Sequence, residues 1–291
     1  MLMDMTEPSN RGRWIGIYQT AFFMGASGGA FLGGFMTDAI GYHRAMLLNA
    51  GLTLLGALYA LFFLPETQKA AGKREQSALV EPLSEQVATS HLLNRRNFFA
   101  AVALYGGNRL VVAGFIMATF GYYLLDRMGD SVQIAGIGLG VASLTGIMLG
   151  SSSLISMFAA PLFGTLSDRL GNRWRVAAMG LIVGLVGFGL LILASPQVAA
   201  FGILLTAVAS GSNQSLATTL TGDASGDKQQ SRQLGILFTV GDLMSAIGPP
   251  LAFALIPLIG VMPVYWLAGG LFVGLFLMSQ VMERGQKLNE S

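Results

Sequence analysis

Two ionisable side chains lie deep inside apolar stretches of the chain. Arg109 stands about 12 residues into one stretch and Asp242 about 10 into another, depths of about 18 and 15 Å at a helical rise of ~1.5 Å per residue. A charge that far into hydrocarbon costs a few kcal/mol or more unless it is paired or hydrated. The depths match and the signs are opposite, as an intramembrane Arg109–Asp242 pair between neighbouring helices would require. Such a pair has proton chemistry available to it. An aspartate separated from its arginine loses the charge that favours its ionised form and takes up a proton more readily. The alternative is a static pair that locks two helices together.

Uncharged polar groups extend this set. One apolar segment ends in a polar run, Ser210, Ser212, Asn213, Gln214, Ser215, Thr218, Thr219 and Thr221. Asn213 and Gln214 are the costliest of these to leave against lipid, so they are expected to face a cavity or another helix. Asn108 and Tyr105, beside Arg109, are candidates of the same kind. Tyr122 and Tyr123 suit an interfacial aromatic belt. The two histidines, His43 and His91, have no partners at metal-ligand spacing, and the chain has no cysteine. Disulfides, thiolate metal sites and cysteine nucleophiles are thereby excluded. No phosphate-binding lysine loop, serine-hydrolase elbow or zinc-peptidase motif occurs. These residues point to no enzyme and no cofactor; they point to a polar path through apolar helices.

The elements that position them follow from composition. The chain is 53% hydrophobic and 11% charged, with a mean hydropathy of +0.61. Soluble proteins carry about 25% charged residues, so lipid must cover much of this surface. Apolar runs recur at the length of ~20 residues that crosses a bilayer core. Eight membrane helices are expected, near 14–37, 44–64, 97–125, 132–163, 174–194, 197–220, 232–258 and 262–283. Strands are not expected, because runs this long must satisfy their backbone internally and none alternates as a membrane barrel does. A long polar connection, 65–96, reads as a linker, with a short surface helix around Leu79 to Leu93. The first 13 residues have no secretory leader pattern.

Loop charges set the orientation. With residue 1 and the linker in the cytoplasm, 14 of the 17 Lys and Arg fall on cytoplasmic segments and only Arg44 and Arg127 outside. That asymmetry places both ends inside. The basic balance therefore reflects membrane topology, and no nucleic-acid partner is implied.

The chain also echoes itself. Asp4 to Gly51 recurs as Asp223 to Gly270 at a constant offset of 219: Arg13 with Arg232, Thr20 with Thr239, Gly29 with Gly248, Gly41 with Gly260. Glycine dominates the matches, which marks backbone requirements.

Three patterns carry a family resemblance. Gly164-Thr-Leu-Ser-Asp168-Arg169-Leu-Gly171-Asn172-Arg173 lies between two spans and resembles the G-x-x-x-D-R-x-G-R-R loop of the major facilitator superfamily, with Asn172 in place of an arginine. Asp4-Met-Thr-Glu7-Pro8-Ser-Asn-Arg11-Gly12 resembles that family's D-x-x-P-x-x-x-R-G pattern, with its proline one place later at Pro8, echoed without the proline from Asp223 to Gly235. Gly25-x-x-x-Gly29-Ala30-x-x-Gly33-Gly34 resembles the G-x-x-x-G-P-x-x-G-G motif of drug–proton antiporters, with Ala30 replacing proline. Generic small-residue packing is the alternative for that glycine set.

The resemblance implies an all-α membrane protein whose eight transmembrane helices are equivalent to helices 5–12 of the major facilitator fold. Residues 1–64 would be the last two helices of an N-terminal bundle, 65–96 the cytoplasmic linker, and 97–291 a C-terminal six-helix bundle. By the 219-residue offset, roughly 120 residues would precede Met1 in a complete transporter. The implied activity is proton-coupled efflux of a small molecule across the cell membrane by alternating access. Arg109 and Asp242 would face the central cavity with Asn108, Asn213, Gln214 and Tyr105. Asp168, Arg169 and Arg173 would meet Arg11 and Arg13 in a cytoplasmic gate. The alternatives are proton-coupled uptake, or a fragment or membrane interaction module that transports nothing.

Overall fold

The computed structural model describes residues 11–63, 85–134, 137–224 and 230–290. The start of the first repeat (4–10), most of the linker including Lys69, Lys73 and Arg74, and the loop with Asp227 and Lys228 lie outside the described residues, as does the first part of the expected surface helix.

Helices make up nearly all of the described chain. They are α1 (Arg11–Ile40), α2 (Tyr42–Phe63), α3 (Glu85–Asn108), a π-helical segment (Arg109–Ile116) running on into α4 (Met117–Met128), α5 (Val141–Leu170), α6 (Arg173–Leu193), α7 (Pro196–Ala224), α8 (Gln230–Ile259) and α9 (Val261–Glu290). Among the described residues, six spans are long and apolar enough to cross a membrane: Tyr42–Phe63, Arg95–Met128, Val141–Leu170, Arg173–Leu193, Arg232–Ile259 and Val261–Gln286. α1 and α7 are not among them, although each is about as long as its neighbours. α7 carries the Ser210–Thr221 polar run, and both helices pack against α5.

The 219-residue echo is structural. α1 and α8 begin and end at corresponding residues, and each stops at a left-handed glycine, Gly41 (φ +84°) and Gly260 (φ +86°). Each glycine N–H donates to the carbonyl four residues back, Thr37 in one copy and Ile256 in the other. A side chain at either glycine would strain the backbone, which is why these matches are glycine.

One sequence expectation is corrected. The fourth span does not start at 132. Ser131–Ile134 and Ile137–Gly140 form an antiparallel hairpin with Ser131 opposite Gly140 and Ile134 opposite Ile137, and α5 begins only at Val141. Val132, Ile134 and Ile137 favour extended backbone, and Gly138 and Gly140 weaken a helix there. The apolar count alone merged hairpin and helix. α5 also runs seven residues beyond the expected end, so most of the 164–173 motif is its last helical turns.

Packing relies on small residues. A Cβ on Gly187 would meet the Gly202 carbonyl at 2.6 Å, and one on Gly184 would meet Ala209 and Phe272 at 2.7 Å. α6 thus lies against α7 at backbone range, as membrane helices do without a hydrophobic drive between them. Phe188 and Phe272 fill the α6–α9 seam edge to face, centroids 5.2 Å apart. α1 lies along α5, and α2 packs on α1 with its remaining apolar side chains exposed.

Candidate transport pathway

Arg109 opens the π-helical segment and faces α8. Its Nη2 donates to Asp242 Oδ1 at 3.1 Å. The Asp242 side chain is 73% exposed and that of Arg109 27%, so the pair sits at the edge of the packed helices with the carboxylate outermost. Around α8, Asp242 falls on one exposed stripe with Gly235, Thr239, Ala246 and Pro250 at helical spacing. The next stripe round is Ile236, Leu243, Ile247 and Leu251, all exposed and apolar. A small, polar stripe beside an apolar one is what a helix shows when it borders both a hydrated space and lipid.

Tyr105 lies one turn before Arg109 and is buried. Its ring packs edge-on against Phe238, 5.7 Å between centroids. It fits only because residue 241 is glycine: a Cβ there would collide with the Tyr105 ring and sit 3.3 Å from Arg109 Cγ. Further along, the two helices cross at their closest at Gly114 and Gly248, where a Cβ on Gly114 would lie 2.8 Å from Gly248 Cα. Gly241, Phe238 and Gly114 are contributors that sequence reasoning missed. Glycine is too common here, 39 residues in the whole chain, to single out these positions.

Asn108 is adjacent to Arg109 but points elsewhere, since consecutive helical residues are about 100° apart. It is fully buried against α7, where its Nδ2 donates to the Ser210 carbonyl at 3.4 Å. Gln214 Nε2 donates to Ser210 Oγ at 3.0 Å. Asn213 is fully buried, and both its amide atoms and Asn108 Oδ1 lack hydrogen-bond partners among the described residues. The structure thus makes two polar groups of the sequence candidates. Arg109, Asp242 and Tyr105 lie between the span Arg95–Met128 and α8; Asn108, Ser210 and Gln214 lie between α3 and α7.

The 164–173 motif forms a second cluster. Gly171 takes a left-handed conformation (φ +66°) and its N–H donates to the Ser167 carbonyl at 3.0 Å, ending α5. Asn172 Oδ1 accepts from Arg175 N–H at 3.0 Å, capping α6. That is a physical role for the residue that departs from the usual arginine. Arg173 is the hub. It bridges Asp168 at 3.1 Å and Asp223 on α7 through Nε and Nη2, and contacts Ser167 Oγ at 3.4 Å. Asp223, which begins the second repeat, is the partner that sequence reasoning did not assign. Arg169 is exposed at the end of α5. The side chains of Arg11 and Arg13 lie outside the described part, so their contact with Asp168 is not seen. A cavity of about 290 Å³ adjoins Arg173 and Asp223, lined also by Asn97, Gly171, Leu220 and Gln286.

Of the four motif glycines of α1, only Gly34 meets α5; a Cβ there would come within 3.0 Å of Gly146 Cα. Gly25, Gly29 and Gly33 face open space. The contact runs instead along Ser27, Ala30, Phe31, Gly34 and Asp38, with Ser27 Oγ donating to the Gly150 carbonyl at 2.9 Å. Tyr123 is also corrected. It is buried, not interfacial: its hydroxyl donates to the Leu191 carbonyl at 2.6 Å, and Arg127 lies 5.8 Å from the ring. Tyr122 is exposed.

Comparison with known proteins places this geometry. A class G tetracycline resistance protein from Vibrio anguillarum is 28% identical over 257 residues, covering 85% of this chain and 59% of that protein. Multidrug resistance protein MdtG of Proteus mirabilis is 28% identical over 182 residues, 60% of this chain and 41% of that one. The chain spans about half the length of the curated relatives it matches. Among solved structures, a bacterial homologue of the human lysosomal transporter Spinster, in an inward-facing and unoccupied conformation, covers 97% of this chain at a TM-score of 0.54 and 14% identity, with 71% of its own length matched. A POT family transporter in complex with 5-aminolevulinic acid covers 96% at a TM-score of 0.58 and 14% identity, with 70% of its length matched. At that identity they show a shared fold. The sequence profile of the Major Facilitator Superfamily matches residues 1–150 and again 139–287, so this multi-pass membrane chain belongs to the Major Facilitator Superfamily.

Proposed function

We propose that the chain works in proton-coupled efflux of a small molecule across the cell membrane, by alternating access. The observation that carries this reading is the Arg109–Asp242 pair, with its carboxylate exposed on the polar stripe of α8. A proton on Asp242 weakens its hold on Arg109 and so alters how α8 meets the π-helical segment. That links proton binding to helix movement. Relatives named for tetracycline and multidrug resistance support export of small molecules. Asn108, Asn213 and Gln214 supply candidate hydrogen-bonding groups for a substrate within the unit 97–291.

On this reading α1–α2 belong to one bundle and 97–291 to the other, joined by the cytoplasmic linker, and both ends of the chain are cytoplasmic. The cluster on Arg173 forms the cytoplasmic gate. The α1–α5 contacts at Ser27, Gly34 and Asp38 sum in register to near 180 with their partners Gly150, Gly146 and Ser143. The same antiparallel register brings the backbone of Arg11 and Arg13 level with Asp168.

The test uses inverted membrane vesicles containing the full chain. Addition of tetracycline should release protons from acidified vesicles, and Asp242→Asn should abolish that release with unchanged chain in the membrane. No substrate-dependent proton movement, or full activity in Asp242→Asn, overturns the reading. Proton movement of the opposite sense identifies uptake instead.

A further inference from the structure

Asp38 stands near the end of α1, in neither the ion pair nor the Arg173 cluster. Its Oδ2 accepts from the Ser143 N–H at 2.7 Å, across 105 residues of chain. Ser143 lies in the first turn of α5. The N-cap of that helix, Gly140, offers no side-chain cap. Helix N-termini present unpaired N–H groups and a partial positive charge. Here the missing cap comes from another helix.

Two further observations say that Asp38 is there for this contact. The first is Gly140. Its φ of −65° and ψ of 152° suit any residue, so glycine is not required by backbone conformation. A Cβ would instead collide with the Asp38 carboxylate. The second is the internal echo. Residue 257 stands at the Asp38 position of α8 and is proline, yet α8 ends at the same point and on the same left-handed glycine as α1. A carboxylate is therefore not needed to finish the helix.

We infer that Asp38 is a cross-helix latch, holding α1 to the N-terminus of α5 at the end of their interface remote from Gly171. This rests on the transporter reading, in which α1 and α5 belong to bundles that move against each other. Asp38 is then a positioning residue for one gate, as the Arg173 cluster is for the other. Between the two lie the small-residue contacts Ser27–Gly150 and Gly34–Gly146, with the Phe31 ring seated on Gly150, about which the helices can pivot.

The chain has no cysteine, so single introduced thiols report directly. Ser143→Cys keeps the backbone N–H and places a thiol at a residue that is 3% exposed. Its labelling by a water-soluble maleimide, with the full chain in membranes, measures how often this end opens. Asp38→Ala should speed labelling by about threefold to tenfold, as expected for loss of a charge at a helix N-terminus. Gly140→Ala should do the same by evicting the carboxylate, and the double variant should label no faster than either single one. A control thiol, Ser156→Cys, buried against α7, should keep its rate. Unchanged Ser143→Cys labelling in Asp38→Ala overturns the latch, as does parallel acceleration of the control or additive effects in the double variant. None of these readouts needs transport, so failure of the latch and failure of the transporter reading are separable.

Discussion

At the residue scale the deciding quantity is what a charge costs beside lipid. Arg109 is three-quarters covered and its Nε has no partner among the described residues, so Asp242 is its main compensation. Removing Asp242 leaves the arginine more exposed to the penalty than removing Arg109 leaves the aspartate, which is 73% exposed and can be hydrated. Asp242→Ala should therefore lower thermal stability in detergent more than Arg109→Ala. The difference should be modest, about 1 kcal/mol, because water screens a pair this exposed. The exchange Arg109→Asp with Asp242→Arg should restore stability relative to either single change; if it is no better than the worse single variant, the pair is not the source of the effect. Gly241 offers a second check. Gly241→Ala puts a methyl into the Tyr105 ring and should cost about 1–3 kcal/mol as overpacking, relieved in part by Tyr105→Leu. Matched depth and opposite sign, together with a family resemblance that makes their helices neighbours, make the meeting of Arg109 and Asp242 legible in the sequence. The glycine that admits Tyr105 beside them is not legible, because its reason is a side chain 136 positions away on another helix.

At the element scale the turns were readable and the irregularities were not. Gly171 and the Gly41/Gly260 pair stand where helices must reverse, and local chemistry alone forces them. Asn172 caps α6 through Arg175 N–H. Asn172→Ala should cost about 1 kcal/mol of stability, whereas Asn172→Asp should hold it, as a caps-competent carboxylate at a helix N-terminus; equal losses for both would mean that the cap contributes nothing. The π-helical segment and the 131–140 hairpin carry no comparable local signal. Val111, Val112 and Ile116 read as any apolar helix, and the hairpin continues the apolar run that α5 completes. Hydropathy measures how long a stretch can stay in lipid, not which hydrogen-bond ladder it uses there or where it leaves.

At the scale of the whole molecule the question is whether α1–α2 is a unit that docks on the remainder. α2 touches mainly α1, and α1 meets the remainder chiefly along α5. That interface is narrow and depends on backbone approach: Gly34 and Gly146 leave no space for side chains, and its polar contacts include Ser27 with Gly150 and Asp38 with Ser143. If the proposed division is right, the chain can be cut within the linker and still assemble. Residues 1–75 and 76–291, expressed together as separate polypeptides, should co-purify from membranes through a tag on the longer one. Gly146→Leu in that piece should abolish co-purification, because its side chain would displace the Ala30 carbonyl and Gly34. The same substitution should leave the labelling rate of Ser156→Cys unchanged, since Ser156 bonds to the Ala207 carbonyl inside the other unit. Pieces that never associate, or that still associate with leucine at 146, would show that α1–α2 does not dock through α5, and the two-bundle division would fall with it.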